Sequence, residues 1–218
     1  MMRYYPVNLD VRGRDCLVVG GGEVARRKVR ALVEAGASVR VVAPSVDPRL
    51  KADPRVHVEE REFRDVDLHN AVLVIVATDD AVLNRSIARD AADFGCLVNV
   101  VDCPALSNFI VPAALRRGEL LIAVSTAGAS PMLARRIREK LEKEFGEEYA
   151  DFVALLAEVR KVVLDTVADG KTRARIFTAL TDDRMLDLLR AKGRDATKEE
   201  MMVVVRQISK SEIRRKSE

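Results

Sequence analysis

Apolar residues in the first half of the chain fall alternately into short unbroken runs and helically spaced stripes. Asp15-Cys-Leu-Val-Val19 is a four-residue apolar run ending in three glycines, the pattern of a buried strand. From Val24 to Ala35 the spacing puts Ala25, Val29, Leu32 and Val33 on one helical face, and Gly36 supplies a stop. A second strand, Val39 to Ala43, is halted by Pro44, and Val56 to Glu60 alternates like a strand near an edge. The run from Ala71 to Ala77 is apolar throughout, which predicts a strand buried on both faces. Thr78-Asp79-Asp80 is placed to cap a helix through Leu83, Ile87, Ala88 and Ala91 to Gly95, after which Leu97 to Val101 forms another strand. Strands separated by helices require right-handed crossovers and a parallel sheet, so the expected fold is α/β and Rossmann-like.

The pattern changes after Pro112. Leu120 to Val124 predicts one lone strand, followed by the turn Ser125-Thr-Ala-Gly-Ala-Ser-Pro131. Ser130 is a good N-cap with Pro131 at the first helical position. Beyond it the chain is almost wholly helical, with breaks near Gly146, Gly170 and Gly193, and Phe152, Leu155, Leu156, Val159 and Val163 mark an amphipathic bundle.

Composition narrows the possibilities. At 218 residues, 48% hydrophobic and 33% charged, the chain can bury a core and keep a solvated surface, which excludes disorder and a collagen-like fibre. Its longest apolar run is too short to span a bilayer, and no apolar segment follows the N-terminal Met-Met-Arg-Tyr-Tyr-Pro; a cytoplasmic protein that binds no membrane is expected. Cys16, Cys96 and Cys103 are odd in number without CxxC spacing and are expected as small buried thiols. Only His57 and His69 are present, neither beside a cysteine, so no zinc or haem site is expected. Aromatics at 4% without tryptophan argue against base-stacking on nucleic acid. The net charge of +3 divides as −1 over residues 1–112 and +4 over the remainder, a mild excess that suits a polyanionic small molecule or simply a solvated helical surface.

The chemistry concentrates at strand ends. Gly20-Gly21-Gly22-Glu23-Val24-Ala25 fits GxGxxA between a strand and a helix: Gly20 for the tight turn, Gly22 for approach of a pyrophosphate, Ala25 for helix–strand packing. The free amides and positive dipole end of the helix would face that phosphate. The acid that usually ends the second strand and holds a ribose is missing, since that strand ends Val42-Ala43-Pro44-Ser45. Ser45 or local backbone is left to take the contact, and Arg40 could either favour a 2′-phosphate or lie in solvent. Thr78 and Asp79 follow a central strand at the edge where open α/β sheets bind ligands, and capping is their alternative role. Asn99-Val-Val-Asp102-Cys-Pro104 ends the next strand there, and Asp102 is better placed for chemistry than for a core, although turn formation before proline also suits it. Downstream, Ser125, Thr126 and Gly128 offer hydroxyls and a helix start, with Arg135, Arg136 and Arg138 behind, an arrangement suited to substrate carboxylates or merely to capping.

Together, several segments resemble the precorrin-2 dehydrogenase family, which includes the dehydrogenase/ferrochelatase part of siroheme synthase. They are Pro6-x-x-Leu9; Gly13-Arg14 leading through the glycine turn to Arg27-Lys28; Ala77-Thr-Asp-Asp80 with Asn84; Asn99-Val-Val-Asp102; Phe109-x-x-Pro112; and Ser130-Pro131-x-Leu-Ala-Arg135. The resemblance is close over residues 3–145 and looser beyond. It implies an NAD-binding domain over residues 1–112, a dimerisation region over 113–146 and a helical domain over 147–218, with no residues left for the methyltransferase domain fused in some members. It implies NAD as cofactor, held by Gly20, Gly21, Gly22, Glu23 and Val24 and by Pro44 and Ser45, with Asp102 as the catalytic acid–base. Precorrin-2, a macrocycle bearing acetate and propionate groups, would be the substrate, Fe²⁺ a second substrate in chelatase members, and a homodimer the assembly. Two alternatives lie outside this reading. A non-catalytic NAD-binding regulatory module would carry the acid that Ala43-Pro44-Ser45 lacks. A short-chain dehydrogenase would need Tyr-x-x-x-Lys, which none of Tyr4, Tyr5 and Tyr149 provides.

Overall fold

The computed structural model describes residues 4–217, with side chains described as far as Ser211. Contacts divide the chain into two units: one running to Val111 and including Ala127–Ala129, the other comprising Pro112–Thr126 and the residues from Ser130 onward.

In the first unit, β1 (Asp15–Val19), β2 (Ser38–Ala43), β3 (Val56–Glu60), β4 (Leu73–Val76) and β5 (Leu97–Val100) form one parallel sheet in the order β3-β2-β1-β4-β5. Residue pairs such as Val18–Val41 and Val18–Ile75 set the register on either side of β1. Alternation along the strands divides the apolar residues between two faces. Cys16, Val18, Val39, Val41 and Ile75 pack with Ala25, Val29 and Leu32 of α1 (Glu23–Glu34). Leu17, Val19, Val74, Val76, Val98 and Val100 pack with Ile87, Ala88 and Ala91 of helix Ala81–Asp93. The expected strands and both helices are present. A short helix, α2 (Pro48–Lys51), lies between β2 and β3; Asp47 caps it by accepting from the Arg49 amide at 2.8 Å. The helix over Ala81–Asp93 is therefore α3.

Because β2 and β3 extend the sheet to one side of β1 while β4 and β5 extend it to the other, the direction of winding reverses between β1 and β4. A crevice forms at the carboxyl ends of strands at such a reversal. The free edge of β5 is covered by the following loop: the Val98 amide donates to Asn108 Oδ1 at 2.8 Å, and the Val100 amide to Ser107 Oγ at 2.9 Å. Buried Asn99 donates its amide to the Phe109 carbonyl at 3.0 Å, tying the strand to the same loop.

In the second unit Leu120–Val124 is not the lone strand expected. It is β7, paired antiparallel with β6 (Ala113–Arg117) through a tight turn at Gly118 and Glu119, where Gly118 has φ 54°. Ala-Ala-Leu-Arg-Arg has only one large apolar residue, and that residue, Leu115, is the buried one; so short a signal is hidden until a partner strand supplies its hydrogen bonds. Helix α4 (Pro131–Glu144) packs on this hairpin, with Ser130 accepting from the Leu133 amide as the expected cap. The remaining helices are α5 (Glu148–Thr166), α6 (Gly170–Leu180) and α7 (Asp183–Ser217), the last broken at Gly193 with φ 78°. They close around Phe152, Leu155, Val159, Val163, Ile176, Leu180 and Met201. No helix among the described residues is long and apolar enough to cross a membrane.

Candidate active site

The glycine turn joins β1 to α1 under two steric constraints. A side chain on Gly20, at φ +122°, would meet the Ala77 carbonyl oxygen at 2.2 Å, and one on Gly21 would meet the Ser45 carbonyl oxygen at 2.1 Å. Backbone bonds hold the turn in place: the Gly20 amide donates to the Val42 carbonyl at 3.0 Å, and the Asp47 amide to the Gly21 carbonyl at 2.8 Å. Gly22 is different. A Cβ there meets nothing within 4 Å, and as N-cap of α1 it has no side chain to occupy the first-turn amides. Ala25 is fully buried against the sheet. Gly20 and Gly21 thus make the turn, while Gly22 leaves open the space beside an uncapped helix start.

That space is an open cleft of about 520 Å³ lined by Gly21, Gly22, Ser45, Val46, Asp47, Pro48 and Arg49. Ser45 and Pro44 are both exposed just past β2. A glycine turn, a bare helix N-terminus and an adjoining cleft accommodate the diphosphate and adenosine of a dinucleotide, so the residues present fit such a cofactor.

Asp47 was not anticipated from the sequence, although Asp-Pro four residues beyond the end of β2 carries the signal of a helix cap. Arg49 Nη2 reaches Asp47 Oδ2 at 2.6 Å and Glu23 Oε2 at 2.8 Å, so one guanidinium joins α1 to α2 beside the cleft. The Arg49 hydrogen bonds hold the Asp47 carboxyl down at about 2, and Arg26 followed by Arg49 lowers that of Glu23. Arg40 is neither in solvent nor available to a ligand. It is partly buried, its Nη2 donating to Asp15 at 3.1 Å and to the Asp67 carbonyl at 2.8 Å. The cause is position: Arg40 lies mid-strand on β2, opposite Leu17, well before the carboxyl end.

At the end of β4, Thr78 donates its hydroxyl to Asn84 Oδ1 at 2.6 Å and accepts from the Asp80 amide. Asp80, not Asp79, caps α3, accepting from the Val82 and Leu83 amides at 2.8 and 3.0 Å; those bonds lower its carboxyl. Asp79 is exposed beside it, its carboxylate making no hydrogen bond among the described residues.

Asp102 follows β5 at the same sheet edge, exposed, with a left-handed backbone at φ 57°. Non-glycine residues rarely adopt this conformation, and it is held here where the chain must turn from β5 into Pro104. Gly128, also in the first unit, has its nearest non-neighbouring atom at Pro104 Cγ, 3.9 Å from the position of a Cβ. Ser125 and Thr126 belong to the second unit, where Thr126 Oγ1 accepts from the Ser130 amide at 3.0 Å. The structure therefore brings Gly20, Gly21, Gly22 and Ser45 together around one cleft. It places Thr78, Asp79 and Asp102 on the same carboxyl edge. No three of His, Cys, Asp and Glu cluster as a metal-ligand set among the described residues.

An NAD(P)-binding family model matches residues 7–113, and the model for the central part of sirohaem biosynthesis proteins matches residues 117–144. The siroheme synthase of Methylobacillus flagellatus is 45% identical over 179 residues, covering 81% of this chain and 38% of that protein. The siroheme synthase of Pseudomonas aeruginosa strain LESB58 is 39% identical over 204 residues, covering 92% of this chain and 44% of that one. The chain spans about two fifths of the length of these curated relatives. Among solved structures, SirC, a precorrin-2 dehydrogenase, superposes with a TM-score of 0.76 at 30% identity, over 94% of this chain and 100% of that one. With an NAD(P)-binding fold and this likeness to a precorrin-2 dehydrogenase along nearly its whole length, the chain belongs to the precorrin-2 dehydrogenase family.

Proposed function

We propose that this protein oxidises precorrin-2 to sirohydrochlorin with NAD⁺, a step toward sirohaem. The observation that carries the reading is the pairing, at one sheet edge, of an uncapped helix start beside an open cleft with an exposed aspartate in a strained backbone. When bound, NAD⁺ supplies a hydride acceptor. The first-turn amides at Gly22, Glu23 and Val24 hold its diphosphate, and Pro44 and Ser45 flank the adenosine side. Thr78 and Asp79 border the dinucleotide along the edge. Asp102 takes up the proton released as the macrocycle gains a double bond, so each two-electron oxidation is balanced by one hydride and one proton. Ser125, Thr126 and Gly128 are the proposed contacts for the macrocycle's acetates and propionates.

NAD is preferred to NADP in this reading. Arg49 is already shared by Asp47 and Glu23, and a 2′-phosphate at this end of the cleft would meet two carboxylates. Arg40 is committed to Asp15 and the Asp67 carbonyl. The kinship with siroheme synthases extends the proposal to Fe²⁺ insertion, with Fe²⁺ as substrate and Asp102 accepting the pyrrole protons. A homodimer through residues 113–146, with residues 147–218 as a helical domain, and a cytoplasmic location complete the reading. The test is spectroscopic. Purified protein with precorrin-2 should develop the sirohydrochlorin spectrum with NAD⁺ and much more slowly with NADP⁺; no spectrum with either cofactor would refute the assignment.

A further inference from the structure

Asn84 is half-buried on the first turn of α3, yet its side chain serves the loop before the helix rather than the helix itself. Its amide nitrogen donates to the Thr78 carbonyl at 3.0 Å, and its amide oxygen accepts from the Thr78 hydroxyl at 2.6 Å. A carbonyl cannot donate, so the first bond fixes which way round the amide stands and leaves its oxygen facing the hydroxyl. The hydroxyl has one proton, and Asn84 takes it. One hydroxyl lone pair accepts from the Asp80 amide at 3.2 Å. What Thr78 still offers is the other lone pair, so a further partner must be a donor. Its neighbour Asp79 is exposed, with a carboxylate that makes no hydrogen bond among the described residues and also offers acceptors alone. The Asp80 carboxylate meanwhile occupies the Val82 and Leu83 amides of α3. The loop after β4 thus presents acceptors, whereas the uncapped start of α1 presents donors.

The register places this loop between the glycine turn and Asp102. Val76 of β4 is paired with Val19 of β1 on one side and with Val100 of β5 on the other. Both ladders run one residue further: the Ala77 amide donates to the Val19 carbonyl at 2.7 Å, and the Val101 amide to the Val76 carbonyl at 2.9 Å. Thr78, Gly21 and Asp102 each stand two residues past those paired valines, at the ends of adjacent strands roughly 5 Å apart. A dinucleotide with its diphosphate at α1 and its adenosine over the loop after β2 carries its second ribose over the loop after β4, toward Asp102.

We infer that Asn84 is a positioning residue for the cofactor: by holding Thr78 as an acceptor, it lets Thr78 and Asp79 take the hydroxyls of the ribose on the nicotinamide side. This rests on the dinucleotide cleft of the reading above. A ribose diol brings two donors, and a threonine lone pair beside a carboxylate receives both. A diphosphate, which has no proton to give at neutral pH, is refused at the same place.

ADP ends at the diphosphate, and ADP-ribose adds that ribose alone; both are titrated by calorimetry beside NAD⁺. Wild-type protein should bind ADP-ribose more tightly than ADP. Asn84→Leu should bind ADP as wild type does, and ADP-ribose and NAD⁺ roughly 3- to 10-fold more weakly, the worth of one neutral hydrogen bond. Thr78→Val, which removes the hydroxyl at nearly constant volume, should do the same, and Thr78→Ser should restore the affinity. Adding Asn84→Leu to Thr78→Val should cost little more, because one residue acts through the other. Equal weakening of ADP and ADP-ribose in Asn84→Leu would make the residue a prop of the fold and overturn the inference. So would unaltered ADP-ribose affinity in Thr78→Val. Wild-type protein that binds none of the three ligands would refute the cofactor cleft itself, before any variant is compared.

Discussion

Gly21 and Ser45 approach so closely that a Cβ on Gly21 would lie 2.1 Å from the Ser45 carbonyl oxygen. The loop after β1 and the loop after β2 are thus packed backbone against backbone, and the neighbouring Asp47 amide is bonded to the Gly21 carbonyl. Gly22, one residue on, meets nothing. The two glycines should therefore respond differently to substitution. Gly21→Ala should push the loops apart, lowering thermal stability by about 1–3 kcal/mol and weakening NAD⁺ binding as well. Gly22→Asp should fold normally and lose NAD⁺ binding, because a carboxylate would occupy the approach of the diphosphate. Thermal denaturation beside calorimetric NAD⁺ titration checks both, and wild-type affinity in Gly22→Asp would refute the proposed cleft.

Removing the acid at the end of β5 should affect turnover far more than folding. Asp102→Asn is the suitable variant, since asparagine tolerates the left-handed backbone at φ 57° whereas alanine would add about 1 kcal/mol of strain. Loss of the proton acceptor should slow dehydrogenation roughly 10²- to 10⁴-fold with NAD⁺ affinity retained. If the protein inserts Fe²⁺ with the same base, that rate should fall in parallel. Metal insertion at the wild-type rate in Asp102→Asn would separate the two steps.

Asp67 links stability of the first unit to pH. It is buried, bonded to Arg61 at 2.6 Å and accepting from the Arg64 amide at 2.8 Å, and the Arg61 bond keeps its carboxyl below the ordinary range. A carboxylate whose folded value is depressed stabilises the fold above its unfolded value, ~4, and that contribution is lost as the pH falls through the folded value. Asp67→Asn should cost on the order of 2–3 kcal/mol at neutral pH, less than for a fully buried pair because Arg61 is partly exposed. The cost should shrink in acid. Urea denaturation of both proteins at pH 7 and pH 3 measures it, and a gap independent of pH would contradict the ion-pair account.

Exposed apolar residues on α4, among them Met132, Leu133 and Ile137, belong to the region proposed to dimerise. The wild-type protein should run as a dimer by light scattering at micromolar concentration. Ile137→Glu should shift it toward monomer while circular dichroism stays unchanged. A monomeric wild type would refute the proposal.

Much of this molecule is written locally. Every strand of the parallel sheet and both of its long helices follow from apolar runs and stripes, because a strand buried on both faces has no polar positions to spare and a helix must present one face to it. The glycine turn was legible for the same reason: GxGxxA between a strand and a helix is a steric requirement expressed in sequence. Asp102 could be located at a strand end, but its left-handed backbone could not. Strand β6 was hidden, since with Leu115 as its one buried residue it owes its conformation to hydrogen bonds from β7, which lie outside its own sequence. Arg40 was ambiguous until β1 brought Asp15 beside it, twenty-five residues away in the chain. The sharing of Arg49 between Glu23 and Asp47 was likewise decided only by tertiary structure. Burial and backbone periodicity are properties of neighbouring residues, so sequence determines them; the partner of a charge is set by which strand ends the fold brings together.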